Sequence, residues 1–424
     1  MKRTIFSYLF SPFLKNEKEV QSLNGIRAIA ILLVITYHVW LPFGVAGFPQ
    51  IIKNVISNFN SGVDLFFVLS GFLIYSGILK YSDRPERFDK KRFFFARSLR
   101  IFPAYYFCLS ILYLYYQGQF DRLSLIKNPN EFQLAEIKSV SEVLRSSYAD
   151  FLYISNYTKQ RLSLVGWSLS IEEQFYLILP FFTTLFLFRF NAKRRILILS
   201  ALYAIPLIFR IIYVVRDADL GVLIYSHTRM DSLVIGMILA EIKVLSPRRG
   251  FQSVPAPINA VRNHNVDLDE PNPQTTSSLI DPKLIDTFLL FFGIAALTIG
   301  HMFPLEHWFR KTFGYNFFNV GYAIWIYLSL NDQGRIARVL SSAIFRPIAR
   351  LSYTMYLWNI LIAGIAVSKV FSGVSQPHAG HFLFAILTAI VYCFLFSWLL
   401  YLIVEKPFLI LKERILSSEK STRE

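Results

Sequence analysis

The stretch GIRAIAILLVITYHVWLPF at residues 25–43 decides the fold. Apart from Arg27 and His38, it carries no side chain that is charged near neutral pH. A run of about 20 mostly apolar residues is long enough to cross the hydrocarbon core of a bilayer as a helix. The stretch therefore predicts a transmembrane helix.

Nine further stretches of the same kind follow along the chain. Phe, Tyr, Ile and Leu fill them, without the alternation of apolar and polar residues that is typical of membrane barrels. We therefore predict an all-α fold, a polytopic membrane bundle of about ten transmembrane helices. The nine stretches are 62–80, 101–117, 164–188, 196–215, 229–247, 284–303, 313–330, 351–371 and 382–404.

The composition excludes a soluble protein. Hydrophobic residues make up 54% of the 424 residues and charged residues only 17%, whereas globular proteins are about one quarter charged. The net charge of +16 would point to nucleic acid in a soluble chain, but membrane proteins use basic residues to set their orientation. We therefore expect membrane lipids, and no nucleic acid, as partners. Cys108 and Cys393 lie in apolar stretches, so we expect neither a disulfide framework nor a metal site.

The distribution of basic residues predicts the orientation. About 30 of the 44 Lys and Arg residues fall on the side of the membrane that holds the N-terminus, and this side is cytoplasmic by the positive-inside rule. Both termini are therefore expected in the cytoplasm. The first apolar run, Ile5 to Leu14, is short and interrupted by Pro12, which indicates an interfacial segment rather than a cleaved signal.

The predicted organisation has three parts and two long connections. The outer connection, roughly 118–163, has helical apolar spacing at Leu134, Ile137, Val140 and Val143 and predicts a short helix over the outer face. The inner connection, about 248–283, is rich in Pro, Asn, Ser and Asp and predicts a flexible linker. The parts are a cytoplasmic or interfacial N-terminus at 1–22, a membrane domain at 23–410 and a cytoplasmic tail at 411–424.

Arg27 and His38 share one face of the first predicted helix. They are eleven residues apart, which corresponds to three turns plus roughly 20° and to about 16 Å along the axis. This places Arg27 near the inner surface and His38 in the outer half. A histidine that titrates near neutral pH is a natural general base or nucleophile in acyl transfer.

Other ionisable side chains are predicted at the depth of His38. Asp64 begins the second span, Glu172 lies about two turns into the fourth, and Arg229 and Asp231 begin the sixth. Such groups are costly inside a membrane, so they are either functional or paired structurally. We expect Glu172 or Asp64 to orient the imidazole or stabilise the imidazolium. Ser70 and Trp167 are candidates for the acyl pocket, with packing as the alternative role.

Arg97 and Arg100 form a second candidate site at the inner end of the third span. Their spacing places them on one helix face, next to the basic residues 90–92. Guanidinium groups bind phosphates bidentately, although orientation or anionic lipid is an alternative reason for such a cluster. The separation from His38 suits a phosphate-bearing carrier with an arm of about 15–20 Å. Coenzyme A has that shape.

These motifs resemble the acyltransferase-3 family of integral membrane O-acyltransferases, over roughly residues 22–410. Each segment alone is a weak signal, whereas their order along the chain is specific. The matching segments are LNGIRAIA at 23–30, Tyr37-His38, DLFFVLSGFLI at 64–74, RSLRIFP at 97–103, WSLSIEEQFY at 167–176, TRMD at 228–231, LSYTMYLW at 351–358 and EKP at 405–407.

The resemblance implies a bacterial enzyme of the cytoplasmic membrane. Members transfer an acyl group, usually acetyl from acetyl-CoA, to a hydroxyl of an envelope carbohydrate such as O-antigen, exopolysaccharide or a lipid-linked glycan. One essential family motif is a basic residue followed after ten residues by His, matched here by Arg27 and His38. A second is an arginine pair, matched by Arg97 and Arg100, and Glu172 occupies the usual acidic position.

The sequence departs from the family pattern in three places. Asn24 stands where Asp is common, and Asn359 stands where many members carry His. Some relatives add a C-terminal extracytoplasmic hydrolase-like domain, whereas this sequence ends soon after its last span. We therefore expect the chain to complete the transfer alone or to pass the group to a separate periplasmic partner.

Two alternatives stay open at this point. His38 either deprotonates the acceptor hydroxyl as it attacks the thioester or takes the acyl group itself as an acyl-imidazole. In a second class of function, the same polar layer is the binding site of a transporter or flippase for a glycan or a lipid-linked precursor. A membrane sensor or scaffold is a third interpretation, favoured if the polar residues do not converge.

Overall fold

The computed structural model describes residues 2–17, 19–42, 47–218, 220–245, 281–331, 334–374 and 377–421. Eighteen α-helices are present in this part of the chain. The first nine are α1 (Lys2–Leu9), α2 (Gln21–Trp40), α3 (Gln50–Ser57), α4 (Gly62–Leu79), α5 (Lys90–Ser124), α6 (Glu131–Ser146), α7 (Tyr148–Phe151), α8 (Gly166–Phe181) and α9 (Ala192–Val215). The others are α10 (Leu220–Ile224), α11 (Ser226–Arg229), α12 (Asp231–Leu245), α13 (Pro282–Met302), α14 (Tyr315–Ser329), α15 (Arg335–Leu340), α16 (Phe345–Phe371), α17 (Ala379–Leu400) and α18 (Lys406–Ser421).

Every predicted span falls on one of these helices, so the predicted membrane helix bundle is confirmed. Among the described residues, seven helices are long and apolar enough to cross a bilayer. The three other predicted spans lie on α5, α12 and α14. The 35 residues of α5 begin with a basic segment, whereas α12 and α14 have 15 residues each. Both are extended at their N-terminal ends, α12 by α11 and α14 by a π-helical turn, Arg310–Gly314.

The second membrane helix begins earlier than the sequence suggests. Together, α3, a 3₁₀ turn at Asn58–Ser61 and α4 form one 30-residue helix from Gln50 to Leu79. The polar side chains that interrupt the apolar pattern are bonded to the C-terminal end of α13, because Asn54 Nδ2 donates to the Met302 carbonyl and Asn58 Nδ2 to the Phe303 carbonyl. These bonds allow polar residues to continue a membrane helix.

Close backbone contact holds the centre of the bundle together. A Cβ atom on Gly71 of α4 would lie 2.0 Å from the Leu233 carbonyl oxygen of α12, and one on Gly236 would lie 2.2 Å from the Val68 carbonyl oxygen. Small residues at such crossings are typical of membrane helix packing. The helix α2 packs against α4, α16 and α17, so the face that carries Arg27 and His38 is surrounded by other helices.

The N-terminal segment is bound to the helices that end the chain. Tyr8 Oη donates to the Leu402 carbonyl at 2.7 Å, and Lys406 Nζ donates to Ser11 Oγ at 2.8 Å. Arg350 of α16 pairs with Glu19 at 3.2 Å. Residues 8–19 and 402–406 therefore lie at the same end of the bundle. That this end is cytoplasmic stays a prediction.

The outer connection contains the predicted helix. Asn130 and Gln133 form a capping box that begins α6, because each side chain accepts a hydrogen bond from the other residue's backbone nitrogen. Val140 and Val143 are the buried side chains of α6. The predicted linker at 248–283 falls almost wholly outside the described residues.

Candidate active site

Three arginines from two helices form a cluster. Arg27 of α2 lies within electrostatic range of both Arg97 and Arg100 of α5. Arg97 and Arg100 share a face of α5, which Asp89 caps by accepting a hydrogen bond from the Arg92 nitrogen at 2.9 Å. Arg100 is exposed at its outer atoms, and Arg27 and Arg97 are half-buried, so all three keep accessible surface. Guanidinium groups brought together in this way favour an anionic ligand, above all phosphate.

Glu172 belongs to this arginine cluster. Its Oε1 accepts a hydrogen bond from Ser70 Oγ at 2.9 Å, and the carboxylate interacts electrostatically with Arg97 and Arg100. The Arg97 guanidinium also lies 3.4 Å from the centre of the Tyr176 ring, one turn further along α8. The structure therefore brings together Ser70, Glu172, Arg97 and Arg100. Among the described residues, Glu172 forms no hydrogen bond or ion pair with His38, so a role for Glu172 at the imidazole stays a prediction.

Asp64 lies more than three turns into the second membrane helix, because that helix begins at Gln50. Gly62, two residues before it, packs against Ala30 and Val34 in the middle of α2. Phe66, two residues after it, packs against Tyr356 of α16, with the ring centres 6.0 Å apart. That Asp64 lies at the depth of His38 stays a prediction.

Asp64, Arg229 and Asp231 form buried ion pairs. Arg229 Nη2 donates to Asp64 Oδ1 at 2.6 Å, and Ser232 Oγ donates to the same oxygen at 3.0 Å. Asp231 pairs with Arg210 of α9 at 2.8 Å. The exposed fractions of Asp64, Arg229 and Asp231 are 1%, 3% and 0%. Ion pairs sealed in this way join α4, α9 and α12, and they leave the three side chains little surface for a substrate.

Trp167 lies next to these ion pairs and keeps accessible surface. The Arg229 guanidinium is 5.4 Å from the centre of its indole ring and 4.2 Å from that of Tyr315. The neighbouring Ser168 is buried, and its Oγ lies 2.5 Å from Tyr356 Oη of α16. This contact fixes the outer end of α8 against α16.

His38 faces Asn359, which sequence analysis noted only as a departure from the family pattern. The groups that act on the half-buried imidazole are the side-chain amide of Asn359 and the carbonyl of Val34. Asn359 is fully buried, and its Nδ2 donates to the Tyr356 carbonyl at 2.5 Å. Within the described part of the chain, His38 Nδ1 and Asn359 Oδ1 complete no hydrogen bond of good geometry. A ring nitrogen and an amide oxygen thus lie near each other with unused hydrogen-bonding capacity.

Several of the candidate site residues keep accessible surface between the arginine cluster and His38. The arginine cluster lies at the end bound by the N-terminal segment, and His38 lies about 16 Å away along α2. Glu172, Ser70 and Trp167 are half-buried, as His38 is. Among the described residues, no three His, Cys, Asp or Glu side chains are grouped so that they could hold a metal ion.

Comparison with known proteins fits this arrangement. The profile of a family described as "Acyltransferase domain" matches residues 20–402. The chain belongs to this acyltransferase-3 family. The predicted family resemblance is therefore confirmed, and the match includes every candidate site residue discussed above.

Curated members of the acyltransferase-3 family include cell-wall enzymes. Peptidoglycan O-acetyltransferase OatA of Listeria monocytogenes is 31% identical over 231 residues, which are 53% of this chain and 34% of the relative. O-acetyltransferase OatA of Staphylococcus aureus is 30% identical over 237 residues, 52% of this chain and 34% of the relative. YrhL of Bacillus subtilis, provisionally named as a peptidoglycan O-acetyltransferase, is 26% identical over 408 residues, 93% of this chain and 55% of the relative.

This chain matches only part of the length of these relatives. It spans about one third of each OatA protein and about half of YrhL. No solved structure gives a significant match to the chain.

Proposed function

We propose that this protein transfers an acyl group, in the first instance acetyl, from acyl-CoA to a hydroxyl of an envelope polysaccharide. The observation that carries the proposal is the arrangement on α2. A three-arginine cluster with accessible surface lies at one end, where α2 contributes Arg27, and the half-buried His38 lies about 16 Å away on the same face of α2. Membership of the acyltransferase-3 family supports this interpretation.

Arg27, Arg97 and Arg100 are the groups that would hold the donor. Bringing three like charges together is unfavourable unless an anion compensates them, and the phosphates of acetyl-CoA supply that charge. Glu172 offsets part of the positive charge when no phosphate is bound, because it interacts with Arg97 and Arg100. The donor brings a thioester whose carbonyl carbon is open to attack. Its arm would extend from the arginine cluster toward His38.

His38 performs the proton transfer in this proposal. The imidazole takes the proton of the acceptor hydroxyl as that oxygen attacks the thioester carbonyl. The C–O bond forms, the C–S bond breaks, and the imidazolium returns the proton to the leaving thiolate. In the two-step alternative, His38 itself accepts the acyl group before the hydroxyl attacks. Ser70 and Trp167 have the accessible surface needed to line the acyl pocket.

The proposed role of Asp64, Arg229 and Asp231 is structural: they hold other parts of the site in place. Their ion pairs fix α4, α9 and α12, and the Arg229 guanidinium lies beside Trp167. In this proposal they hold the wall of the acyl pocket and do not contact the reacting atoms.

The names of the relatives support a proposal for the acceptor and the location. Two of them are named as peptidoglycan O-acetyltransferases, which supports a polysaccharide outside the cytoplasmic membrane. We place the chain in the bacterial cytoplasmic membrane as a multi-pass protein, with its termini and the arginine cluster on the cytoplasmic side. Polysaccharide, lipid-linked glycan and a periplasmic partner that receives the group are all compatible acceptors.

The test is the acetyl content of the surface glycans of host cells. His38→Ala is expected to abolish O-acetylation and Arg97→Ala to lower it strongly, each variant being confirmed to reach the membrane. His381→Ala and Arg87→Ala remove the same side chains from positions outside the proposed site and should leave acetylation unchanged. Normal acetylation in both site variants would overturn the proposal. A loss of surface glycan with unchanged acetyl content per sugar would favour the flippase alternative.

A further inference from the structure

An open cleft lies on the outer connection, outside the site described above. It has a volume of about 330 Å³ and lies between the C-terminal end of α6 and residues 158–160. This volume is at the lower end of the range of about 300–1,000 Å³ that is typical of small-ligand sites. The side chains that shape it are Glu142, Arg145, Tyr148, Thr158, Lys159 and Gln160.

The two walls of the cleft are held together by hydrogen bonds. Ser146 Oγ, at the end of α6, donates to the Gln160 carbonyl at 2.9 Å. Arg161 Nη2 donates to the Thr158 carbonyl at 2.6 Å, and the Leu162 nitrogen donates to Asp150 Oδ2 at 2.7 Å. The backbone on both sides is therefore fixed before any ligand binds, which lowers the entropy cost of binding.

The cleft is also fixed to the helix that carries Trp167 and Glu172. Ser155 Oγ lies 3.1 Å from Ser170 Oγ of α8, and Gln174 Nε2 of α8 donates to the Tyr153 carbonyl at 2.8 Å. A ligand in the cleft therefore has a defined position relative to α8. This relation suits a site that positions one part of a long substrate while another part reacts.

The polar side chains in the cleft have unused hydrogen-bonding capacity. Within the described part of the chain, Glu142, Arg145 and Lys159 form no ion pair, and the Tyr148 hydroxyl forms no hydrogen bond. Tyr148 is 56% exposed, so its ring is available to a ligand. Planar carboxylate, guanidinium and amide groups pair well with neighbouring hydroxyls. An exposed ring covers the apolar face of a sugar.

We infer that this cleft binds a saccharide segment of the acceptor polymer, away from the hydroxyl that is acylated. The inference rests on the proposed function, because that function supplies a glycan acceptor. Surface charges are commonly only solvated, but here an acid, two bases, an amide and an aromatic ring line one open cleft whose walls are joined by a hydrogen bond. The cleft therefore determines how tightly a long acceptor polymer binds. It does not change the rate of acyl transfer at His38.

The test compares long and short acceptors with purified full-length protein in detergent. Tyr148→Ala is expected to raise the KM for soluble peptidoglycan glycan strands about tenfold or more. The kcat value, and transfer to N-acetylglucosamine as the short acceptor, should not change. Phe132→Ala is the matched control, because Phe132 is 76% exposed on the same α6 and does not line the cleft. An unchanged KM for the strands in Tyr148→Ala would overturn the inference.

A direct binding measurement separates this inference from the proposed function. Saturation-transfer NMR with chitotetraose needs no catalysis, so it remains informative even when the wild-type protein transfers no acyl group. Binding by wild type and by Phe132→Ala, with loss in Tyr148→Ala and in the double variant Arg145→Ala/Lys159→Ala, supports the saccharide site. Absence of binding by the wild-type protein, or equal binding by all variants, contradicts it.

Discussion

Asn359 of α16 lies next to His38 of α2, with its amide held by the Tyr356 carbonyl. The buried Asn359 Oδ1 has no hydrogen-bond partner within the described chain, so it is available to accept a hydrogen bond from an imidazole N–H. An acceptor in this position would select one tautomer and hold the ring plane, as partners of catalytic histidines do. Asn359 is therefore a candidate positioning residue that reacts with nothing itself.

We expect Asn359→Ala to lower kcat roughly tenfold to a hundredfold, because a freely rotating imidazole seldom has the reactive orientation. The KM for acyl-CoA should stay within a factor of about two, since the arginine cluster is untouched. Steady-state kinetics with purified protein measure both values. Asn319→Ala removes an equally buried asparagine from α14 and should not change kcat. A raised KM with unchanged kcat would contradict the positioning role.

Arg97→Ala should raise the KM for acyl-CoA roughly tenfold to a hundredfold, because hydrogen bonds to charged groups contribute about 1.5–3 kcal/mol. Arg97→Lys keeps the charge but not the bidentate geometry, and should recover part of the loss. Isothermal titration with CoA gives the binding change without the reaction. Arg87→Ala, an exposed arginine that precedes α5, is the control. Equal CoA affinity in Arg97→Ala and wild type would remove Arg97 from the donor site.

Asp64→Asn should destabilise the protein by about 3–5 kcal/mol, because it removes a buried carboxylate that pairs with the buried Arg229. The double variant Asp64→Asn/Arg229→Gln should recover part of that loss, because it removes both members of the ion pair. Thermal unfolding in detergent measures both variants. If Asp64 acts only through position, the folded fraction of Asp64→Asn retains acyl transfer within about tenfold. Wild-type stability with complete loss of activity would instead assign Asp64 to the chemistry.

Gly71→Ala should destabilise the bundle by about 1–3 kcal/mol, because the new methyl group would overlap the Leu233 carbonyl oxygen and push α12 away from α4. Gly364→Ala is the matched control, since a Cβ atom at that position meets no other atom within 4 Å. We expect Gly71→Ala to lower the melting temperature and Gly364→Ala to leave it unchanged. Equal melting temperatures would show that the two helices separate without cost.

Asp150, which lies outside the membrane-spanning helices, should make the outer connection sensitive to pH. Burial raises the pKa of this carboxyl to about 6, although hydrogen bonds from Leu162 and Ser155 oppose the shift. The folded pKa is above the unfolded value of about 3.9, so protonation favours the folded form. This stabilisation is complete below about pH 4 and is lost as the pH rises through about 6.

Hydrogen exchange of residues 148–162 is the measurement for Asp150. We expect faster exchange, corrected for intrinsic rate, at pH 7 than at pH 4.5 in the wild-type protein. Asp150→Asn keeps an oxygen for the Leu162 nitrogen and removes the charge, so its protection should not depend on pH in this range. The same pH dependence in wild type and variant would contradict the assignment to Asp150.

The membrane helices were predictable from the sequence because each predicted span is a long apolar run. The shared face of Arg97 and Arg100 was also predictable, since helical geometry fixes it within four residues. The outer helix α6 followed from its apolar spacing and is observed at Glu131–Ser146. These features depend on neighbours close in sequence.

The depths and pairings of the polar residues were not predictable in the same way. The true start of the second membrane helix depends on bonds between Asn54, Asn58 and the end of α13, some 250 residues away in sequence. The contact between His38 and Asn359 likewise depends on how α16 packs against α2. Such partners are fixed by tertiary structure, and no local pattern in the chain encodes them.

The bond between Tyr8 and Leu402 joins residues that are 394 positions apart. During synthesis, the N-terminal segment leaves the ribosome long before its docking surface on α17 and α18 exists. Until that surface forms, the segment lies at the membrane surface, where exposed apolar side chains such as Ile5, Phe6 and Leu9 hold it. Docking of this segment therefore comes at the end of assembly, and a nascent chain that stalls before Leu402 leaves Tyr8 without its carbonyl partner.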